Sequence, residues 1–156
     1  MVNARIATGA EQPINRDGAV SQYAGEEGDL VGMDANGDWV MADADSGVMV
    51  PAVGVLAAPV TDPANYTHEE LSVIIESERE LLGENRISAI NGGIILENSD
   101  EDWGFTPGHP VFLAVGGGFT QTEPSGGSGE VRQVVGVATD DGEAVFVNIN
   151  PDYTVA

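Results

Sequence analysis

The chain has 156 residues, of which 42% are hydrophobic, and this is enough material for one folded domain with a buried core. It carries 26 acidic residues against five arginines and has no lysine, which gives a formal charge of −21. This charge repels nucleic acid and anionic membrane surfaces, so it argues against both as binding partners. Because it also has no cysteine, a disulfide framework and a thiolate site are excluded.

The charge also indicates the solvent in which the protein works. Like charges repel one another in a compact fold, and concentrated salt weakens this repulsion because the Debye length falls to about 3 Å at 1 M. The carboxylates are scattered singly rather than gathered in tracts, which favours a halophilic protein over a mimic of nucleic acid. No apolar run approaches the roughly 20 residues needed to cross a bilayer. The N-terminus lacks the apolar core of a signal peptide, so we expect a protein that is used without secretion.

Residues 1–22 show no clear hydrophobic period, and they carry two of the five arginines, Arg5 and Arg16. We predict that they form an extended N-terminal arm. A frayed terminus is the alternative.

Residues 23–156 have the pattern of one β-rich domain, and residues 23–60 form its first predicted β-unit. The apolar segments at 30–33 and 39–42 flank "DANGD" (34–38), in which Asn36-Gly37 is typical of a tight hairpin turn. The segment "GVMVPAVGVLA" (47–57) predicts a further strand, bent near Pro51.

The acidic turn raises the question of a metal site. Asp34, Asn36 and Asp38 alternate like the first ligands of a calcium-binding loop. Such a loop needs glycine at its sixth position and helices on both sides, whereas Trp39 stands there and strands flank the turn. We therefore expect a hairpin turn, with Asp34, Asn36 and Asp38 only as weak candidates for a cation, and we expect no cofactor.

One helix is predicted, at residues 67–82. Thr67 and Glu70 are spaced as a capping box, apolar residues recur from Leu71 at helical spacing, and Gly83 can end the helix. The short run "LSVII" (71–75) could alternatively be a strand, but the continuation rich in Glu and Leu favours a helix.

Residues 86–151 form the second predicted β-unit, because alternating apolar residues recur there in short segments between glycine-rich turns. Val131, Val135 and Val137 are expected on one face of a strand. The unit also repeats the first one. The matching positions are Gly28, Val31, Gly37 and Trp39 with Gly108, Val111, Gly117 and Phe119, and Val53-Gly54-Val55 with Val135-Gly136-Val137. The preserved order predicts two related β-units.

Catalytic patterns are not found. His68 and His109 have no neighbouring metal-ligand motif, and Ser125 lacks the Gly-x-Ser-x-Gly turn of a nucleophile. The acidic run "SDED" (99–102) is more typical of a solvated loop than of a glycosidase pair. We therefore expect that the chain is not an enzyme.

The stretch "FTPGHPVFLAVGGGFTQTEPSGGSGEVRQVVGVATDDGEAVFVNINP" (105–151) resembles the β-rich domain of capsid decoration and head-fibre proteins of tailed viruses. The resemblance consists of a "PGHPVFL" strand (107–113), a glycine turn with a threonine-rich strand (116–122), a Pro-Ser-Gly corner (124–129), a "VVGVA" strand (134–138) and a last strand ending in Asn-Pro (145–151). It covers about a third of the chain closely. It implies a small β-barrel or tulip-like domain that caps the major capsid protein, commonly as a homotrimer.

The resemblance leads us to expect a structural virion protein on the capsid surface of a tailed virus of a halophilic archaeon, bound to neither nucleic acid nor membrane. In such a protein the arm would grip the capsid, with Arg5, Ile6, Ile14 and Arg16 as the contact residues. One alternative is a surface-binding or carbohydrate-binding β-module of a halophile, with Trp39, Trp103 and Phe105 as a sugar platform. Another is a structural component of a tail or baseplate.

Overall fold

The computed structural model describes residues 4–8, 14–16, 25–57, 87–98 and 103–156, and for residues 4–8 and 14–16 it describes the backbone. This part of the chain is mainly β, as the sequence predicts. The helix predicted at 67–82 lies outside the described residues. The described strands are, in chain order, β1 (Ala4–Thr8), β2 (Ile14–Arg16), β3 (Leu30–Met33), β4 (Trp39–Met41), β5 (Gly54–Leu56), β6 (Ile87–Ile90), β7 (Gly92–Asn98), β8 (Pro110–Leu113), β9 (Phe119–Thr120), β10 (Val131–Arg132), β11 (Val134–Thr139), β12 (Ala144–Asn148) and β13 (Thr154–Val155).

The strands form two large sheets and a two-stranded ribbon of β10 and β13. The first sheet has the order β2-β6-β5-β3-β4, and the second has the order β1-β7-β12-β11-β8-β9. All pairings within them are antiparallel. A barrel closes only when its two end strands pair. Within the described residues neither sheet does this, so the barrel expected from the sequence is replaced by two open sheets.

The two sheets repeat one topology, which confirms the two related β-units. In each unit the chain begins with one strand (β2 or β7), forms a hairpin (β3–β4 or β8–β9), and then returns to place two strands between them (β5 and β6, or β11 and β12). The register repeats residue by residue. Met33 pairs with Trp39 as Leu113 pairs with Phe119, Leu30 with Val55 as Pro110 with Val137, Val55 with Ile90 as Val137 with Phe146, and Leu56 with Ala89 as Ala138 with Val145.

The strand pairing gives unit boundaries that differ from those predicted from the sequence. β2 lies within the predicted arm and β6 within the predicted second unit, yet both belong to the first sheet. Residues 57–86 connect β5 to β6, whereas the equivalent connection from β11 to β12 is a turn at 140–143. The long insertion therefore interrupts the first unit, and β1 is an addition to the edge of the second sheet.

The main core lies between the two sheets. It takes Leu30, Val55 and Ile90 from one face of the first sheet, and Val111, Leu113, Val145 and their neighbours from one face of the second. Sheets that pack face to face bury one side of each strand in this way. The opposite face of the first sheet carries a separate buried cluster of Val31, Trp39, Leu56 and Ala89, with Met33 packed against it.

The repeat register shows that unlike faces meet in the main core. Leu30, Val55 and Ile90 of the first sheet correspond to Pro110, Val137 and Phe146 of the second, yet the second sheet contributes its other face to the core. The two sheets therefore pack through non-equivalent faces, as two copies stacked in the same orientation would. As a result, the face that is buried in the first unit is turned outward in the second.

The glycine at the centre of each repeated "VGV" segment permits close strand packing. A Cβ at Gly54 would lie 2.8 Å from the Cβ of Ala89, and a Cβ at Gly136 would meet the backbone oxygen of Phe146. The register shifts between Val134 and Gly136. This irregularity turns Val137 outward while Val135 stays buried, so the prediction that both lie on one face was wrong.

Candidate functional site

The acidic stretch at 34–38 is the turn between β3 and β4. Asp34 Oδ1 accepts hydrogen bonds from the backbone N–H groups of Asn36 (2.8 Å) and Asp38 (3.0 Å), and the backbone oxygen of Asp34 accepts one from Gly37 (3.0 Å). Gly37 has a φ of 85°, a conformation that glycine adopts without strain. The Asp34 side chain therefore holds the turn. Cation binding by Asp34, Asn36 and Asp38 stays a prediction.

Other carboxylates also fasten loops to the sheets. Asp43 Oδ1 accepts from the backbone N–H groups of Asp45 and Gly116, both at 2.8 Å, and so joins the first unit to the β8–β9 turn. The two carboxylate oxygens of Glu143 accept from the backbone N–H groups of Trp103 (2.9 Å) and Gly104 (2.8 Å). Part of the chain's acidic content is thus used to hold loop backbone in place.

The three aromatic residues that the sequence suggests for a sugar platform do not lie together on one surface. The rings of Trp103 and Phe105 are stacked with centroids 5.3 Å apart, and Trp103 meets Phe119 edge-on, also at 5.3 Å. Both Trp103 and Phe105 pack against the main core. Trp39 is only 1% exposed and belongs to the other cluster, so it cannot present its ring to a ligand beside Trp103.

The segments predicted to contact a capsid form edge strands. β1 contains Arg5 and Ile6, which pair with Glu97 and Leu96 of β7. β2 contains Ile14 and Arg16, which pair with β6. In the described part of the chain, β1 and β2 each have a neighbour on one side only. Such an edge offers backbone donors and acceptors to an added strand. Contact of these four residues with a partner stays a prediction.

The outer face of the second sheet carries an apolar row across four strands. Pro110 of β8 pairs with Val137 of β11, Val137 with Phe146 of β12, and Phe146 with Ile95 of β7. Val137 is 39% exposed and Phe146 is 44% exposed. Neighbouring strands are about 4.8 Å apart, so the row extends over roughly 14 Å. We call these four residues the outer row.

A groove of about 410 Å³ lies at the junction of the two units, lined by Met33, Val53, Ile149 and Tyr153 among others. Gln133 reaches its wall with a buried side chain. Its Oε1 accepts from the backbone N–H of Ala52 (2.7 Å), and its Nε2 donates to the backbone oxygens of Ala52 (2.9 Å) and Asn150 (2.8 Å). These bonds occupy the amide, so Gln133 ties the units together.

The remaining candidates for chemistry do not converge in the described residues. His109 and Ser125 are both exposed, while His68 and the acidic run at 99–102 lie outside the described part. No three His, Asp or Glu side chains of residues that the structure describes are grouped to hold a metal ion. In the same part of the chain, no helix is long and apolar enough to cross a membrane. That the chain is not an enzyme stays a prediction.

Three features of this site could not be found in the sequence. The outer row depends on strand register, and the bonds of Gln133 and Glu143 join residues 81 and 40 positions apart. The sequence carries a signal for one residue of the row. Phe146 stands between Val145 and Val147 in an alternating strand, which predicts that its side chain lies on the opposite face from theirs.

Comparison of the chain with protein-family models, with curated proteins and with solved structures found no match.

Proposed function

We propose that this protein is a structural component of a virus particle that decorates and stabilises the capsid surface of a tailed virus with a halophilic host. It would bind the major capsid protein and act as a homotrimer. The observation that carries the proposal is the arrangement of residues 105–151. Four neighbouring strands, β12-β11-β8-β9, follow one another there in a compact unit. The hairpin, the corner and the "VGV" strand of that unit are the features in which the sequence resembles decoration proteins.

The stiffening of the loops supports a scaffold role. Asp34, Asp43 and Glu143 each accept two backbone hydrogen bonds, and Gln133 joins the two units through two bonds to Ala52. Groups that are held by such bonds lose little conformational entropy when a partner binds. A protein whose task is to brace a shell benefits from this rigidity.

The edge strands supply a means of attachment. A capsid strand that adds to β1 or β2 would form main-chain hydrogen bonds, which are independent of salt-sensitive surface charge pairs. In molar salt such bonds and apolar contacts outweigh exposed ion pairs, because the latter contribute little even in dilute buffer. The acidic surface keeps the protein soluble under those conditions.

The test is sedimentation of the protein with undecorated capsid shells in molar KCl. We expect the full-length protein to pellet with the shells to a saturating level. A variant without residues 1–8 lacks β1 and should bind more weakly. The melting temperature of this variant is measured as a control, because removing β1 exposes the edge of β7 and could weaken binding by destabilising the fold. If the full-length protein stays in the supernatant with shells of its own virus, the decoration function is wrong.

A further inference from the structure

We propose that the insertion at residues 58–86 packs against the first sheet, on the separate cluster, and thereby ends the stack of sheets within the chain. The separate cluster comprises Val31, Trp39, Leu56 and Ala89, with Met33 packed against it. Residues 58–86 lie outside the described part of the chain, so their place follows from the face that needs covering and from their sequence. This packing is independent of the proposed function.

The side chains of the separate cluster are shielded from solvent. Val31, Trp39, Leu56 and Ala89 are each at most 2% exposed. Side chains on one face of a sheet stand side by side, roughly perpendicular to it, so they do not cover one another's tips. Among the described residues the cluster has no apolar member outside the first sheet, and the second sheet packs on the opposite face. The cover therefore comes from another part of the chain.

The repeat shows what this face of a unit requires. In the second unit the equivalent positions all belong to the main core, where the first sheet covers them: Val111, Leu113, Phe119, Ala138 and Val145. Within the described ranges no third sheet does the same for the first unit. A large apolar face that includes a tryptophan still needs a cover, because its exposure to water is unfavourable.

The insertion begins and ends beside the separate cluster. It follows β5, which contains Leu56, and it leads into β6, which contains Ala89. In the second unit the first sheet already covers the equivalent face, and there the corresponding connection is only a turn at 140–143. The extra chain is thus present in the unit whose face lacks a sheet and absent from the unit whose face has one.

The sequence of the insertion suits this place. The helix predicted at 67–82 has large apolar residues at helical spacing, namely Leu71, Ile74, Ile75, Leu81 and Leu82. At 1.5 Å per residue such a helix is about 24 Å long, whereas the four strands of the cluster span about 14 Å. Glu69, Glu76 and Glu80 fall on the opposite side of the helical period, which suits a surface that faces water. The other segments outside the described ranges are at most eight residues long.

Covering this face gives the stack an end. When units pack through non-equivalent faces, one face of each kind stays free, and such packing can continue from copy to copy without closing. The separate cluster is one of these two faces, and the outer row lies on the other. With the cluster covered by its own chain, a second copy cannot add to it in this way, so the stack stops after two sheets.

The experiment measures how strongly acrylamide quenches the fluorescence of Trp39 in the full-length protein in molar KCl. The chain has two tryptophans, so Trp103→Phe leaves Trp39 as the only emitter. In this background we expect weak quenching, because Trp39 is buried. Ile75→Asp places a charge between the helix and the sheet and should raise the quenching constant several-fold. Ile75→Ala should raise it less, and it takes the place of the aspartate variant if that variant does not fold.

Val73→Asp is the matched control, because two residues along a helix lie on nearly opposite sides of it. It should leave the quenching of Trp39 unchanged. A second reporter separates loss of this packing from general unfolding. Trp39→Phe leaves Trp103, which packs against the main core, as the only emitter, and the second unit already holds Phe119 at the equivalent position. Quenching of Trp103 should not respond to Ile75→Asp.

Three results would overturn the proposal. If the Ile75 variants quench like their parent, another segment, such as residues 17–24, covers the cluster. If Ile75→Asp and Val73→Asp act equally, the insertion does not pack through this side of a helix. If both Ile75 variants raise the quenching of Trp103 as much as that of Trp39, they loosen the whole domain rather than one contact. None of these results bears on capsid binding, which the sedimentation test addresses separately.

Discussion

Replacement of Glu143 is the sharpest test of how this fold uses its carboxylates. The side chain accepts hydrogen bonds from the backbone N–H groups of Trp103 and Gly104, and the N–H of Phe105 donates to the backbone oxygen of Gly142 at 3.0 Å. Together these bonds hold the segment that carries the stacked rings against the core. Hydrogen bonds to charged groups contribute about 1.5–3 kcal/mol each, and the partial exposure of Glu143 argues for the lower value. Glu143→Ala should therefore lower the free energy of unfolding by about 2–3 kcal/mol.

For a domain of this size that loss corresponds to a decrease of about 5–10 °C in melting temperature. Glu143→Gln keeps one oxygen as an acceptor, but its amide N–H₂ group faces the other backbone N–H and cannot accept from it. We therefore expect about half the loss in the free energy of unfolding. The assay is urea unfolding followed by tryptophan fluorescence, at a fixed molar concentration of KCl.

Glu123→Ala is the control, because it removes the same charge. Glu123 is exposed and makes only an ion pair with Arg132 at 3.2 Å, for which about 0.5 kcal/mol is expected. If Glu143→Ala is no more destabilising than Glu123→Ala, the carboxylate does not hold the loop, and the reasoning about acidic residues as loop fasteners fails.

Three further predictions concern the turns, the strand packing and the charge. Asp34→Ala should lower the free energy of unfolding by about 1–2 kcal/mol, because two backbone N–H groups lose their acceptor. Asp38→Ala should change it by only about 0.5 kcal/mol. Equal effects of the two variants in denaturant titrations would refute the turn geometry. Gly136→Ala should destabilise by about 1–3 kcal/mol, since its Cβ would meet β12, while Gly126→Ala has open space and should be nearly neutral in the same titrations. The midpoint of thermal unfolding should rise as KCl increases from dilute to molar concentration, and a flat or falling midpoint would contradict the role given to the charge of −21.

The local features of the fold could be predicted because they depend on short-range chemistry. Asn36-Gly37 marks the β3–β4 turn, and the repeated glycines and valines revealed two related units. These signals are carried by neighbouring residues, whose backbone preferences do not need the rest of the chain.

The assignment of faces could not be predicted, because it depends on register and on the way the units stack. Val31 and Val111 occupy equivalent positions, yet Val111 lies in the main core and Val31 in the separate cluster. Val137 is turned outward by an irregularity between Val134 and Gly136 that no sequence period reveals. A shift of one residue moves side chains to the other face, so these details required the structure.

The long-range bonds were also beyond the sequence. Gln133 contacts Ala52 across 81 positions and Glu143 contacts Trp103 across 40. A glutamine or a glutamate in a polar turn has no pattern that distinguishes such a role from solvent exposure. For a similar reason the sequence predicts only an extended arm where β1 and β2 lie, because a short segment without alternation gives no sign of the sheet to which it adds.

The measurement that tests the central claim most directly is the protein composition of purified virus particles. Under the proposed function the chain is encoded by a tailed virus, whose particles would be purified in molar salt and analysed by quantitative mass spectrometry. The decoration function predicts that the chain is present in a fixed ratio to the major capsid protein and that undecorated shells regain this ratio when the purified chain is added. Particles that are complete and infectious without the chain, while the chain is abundant in the infected cell, would contradict it.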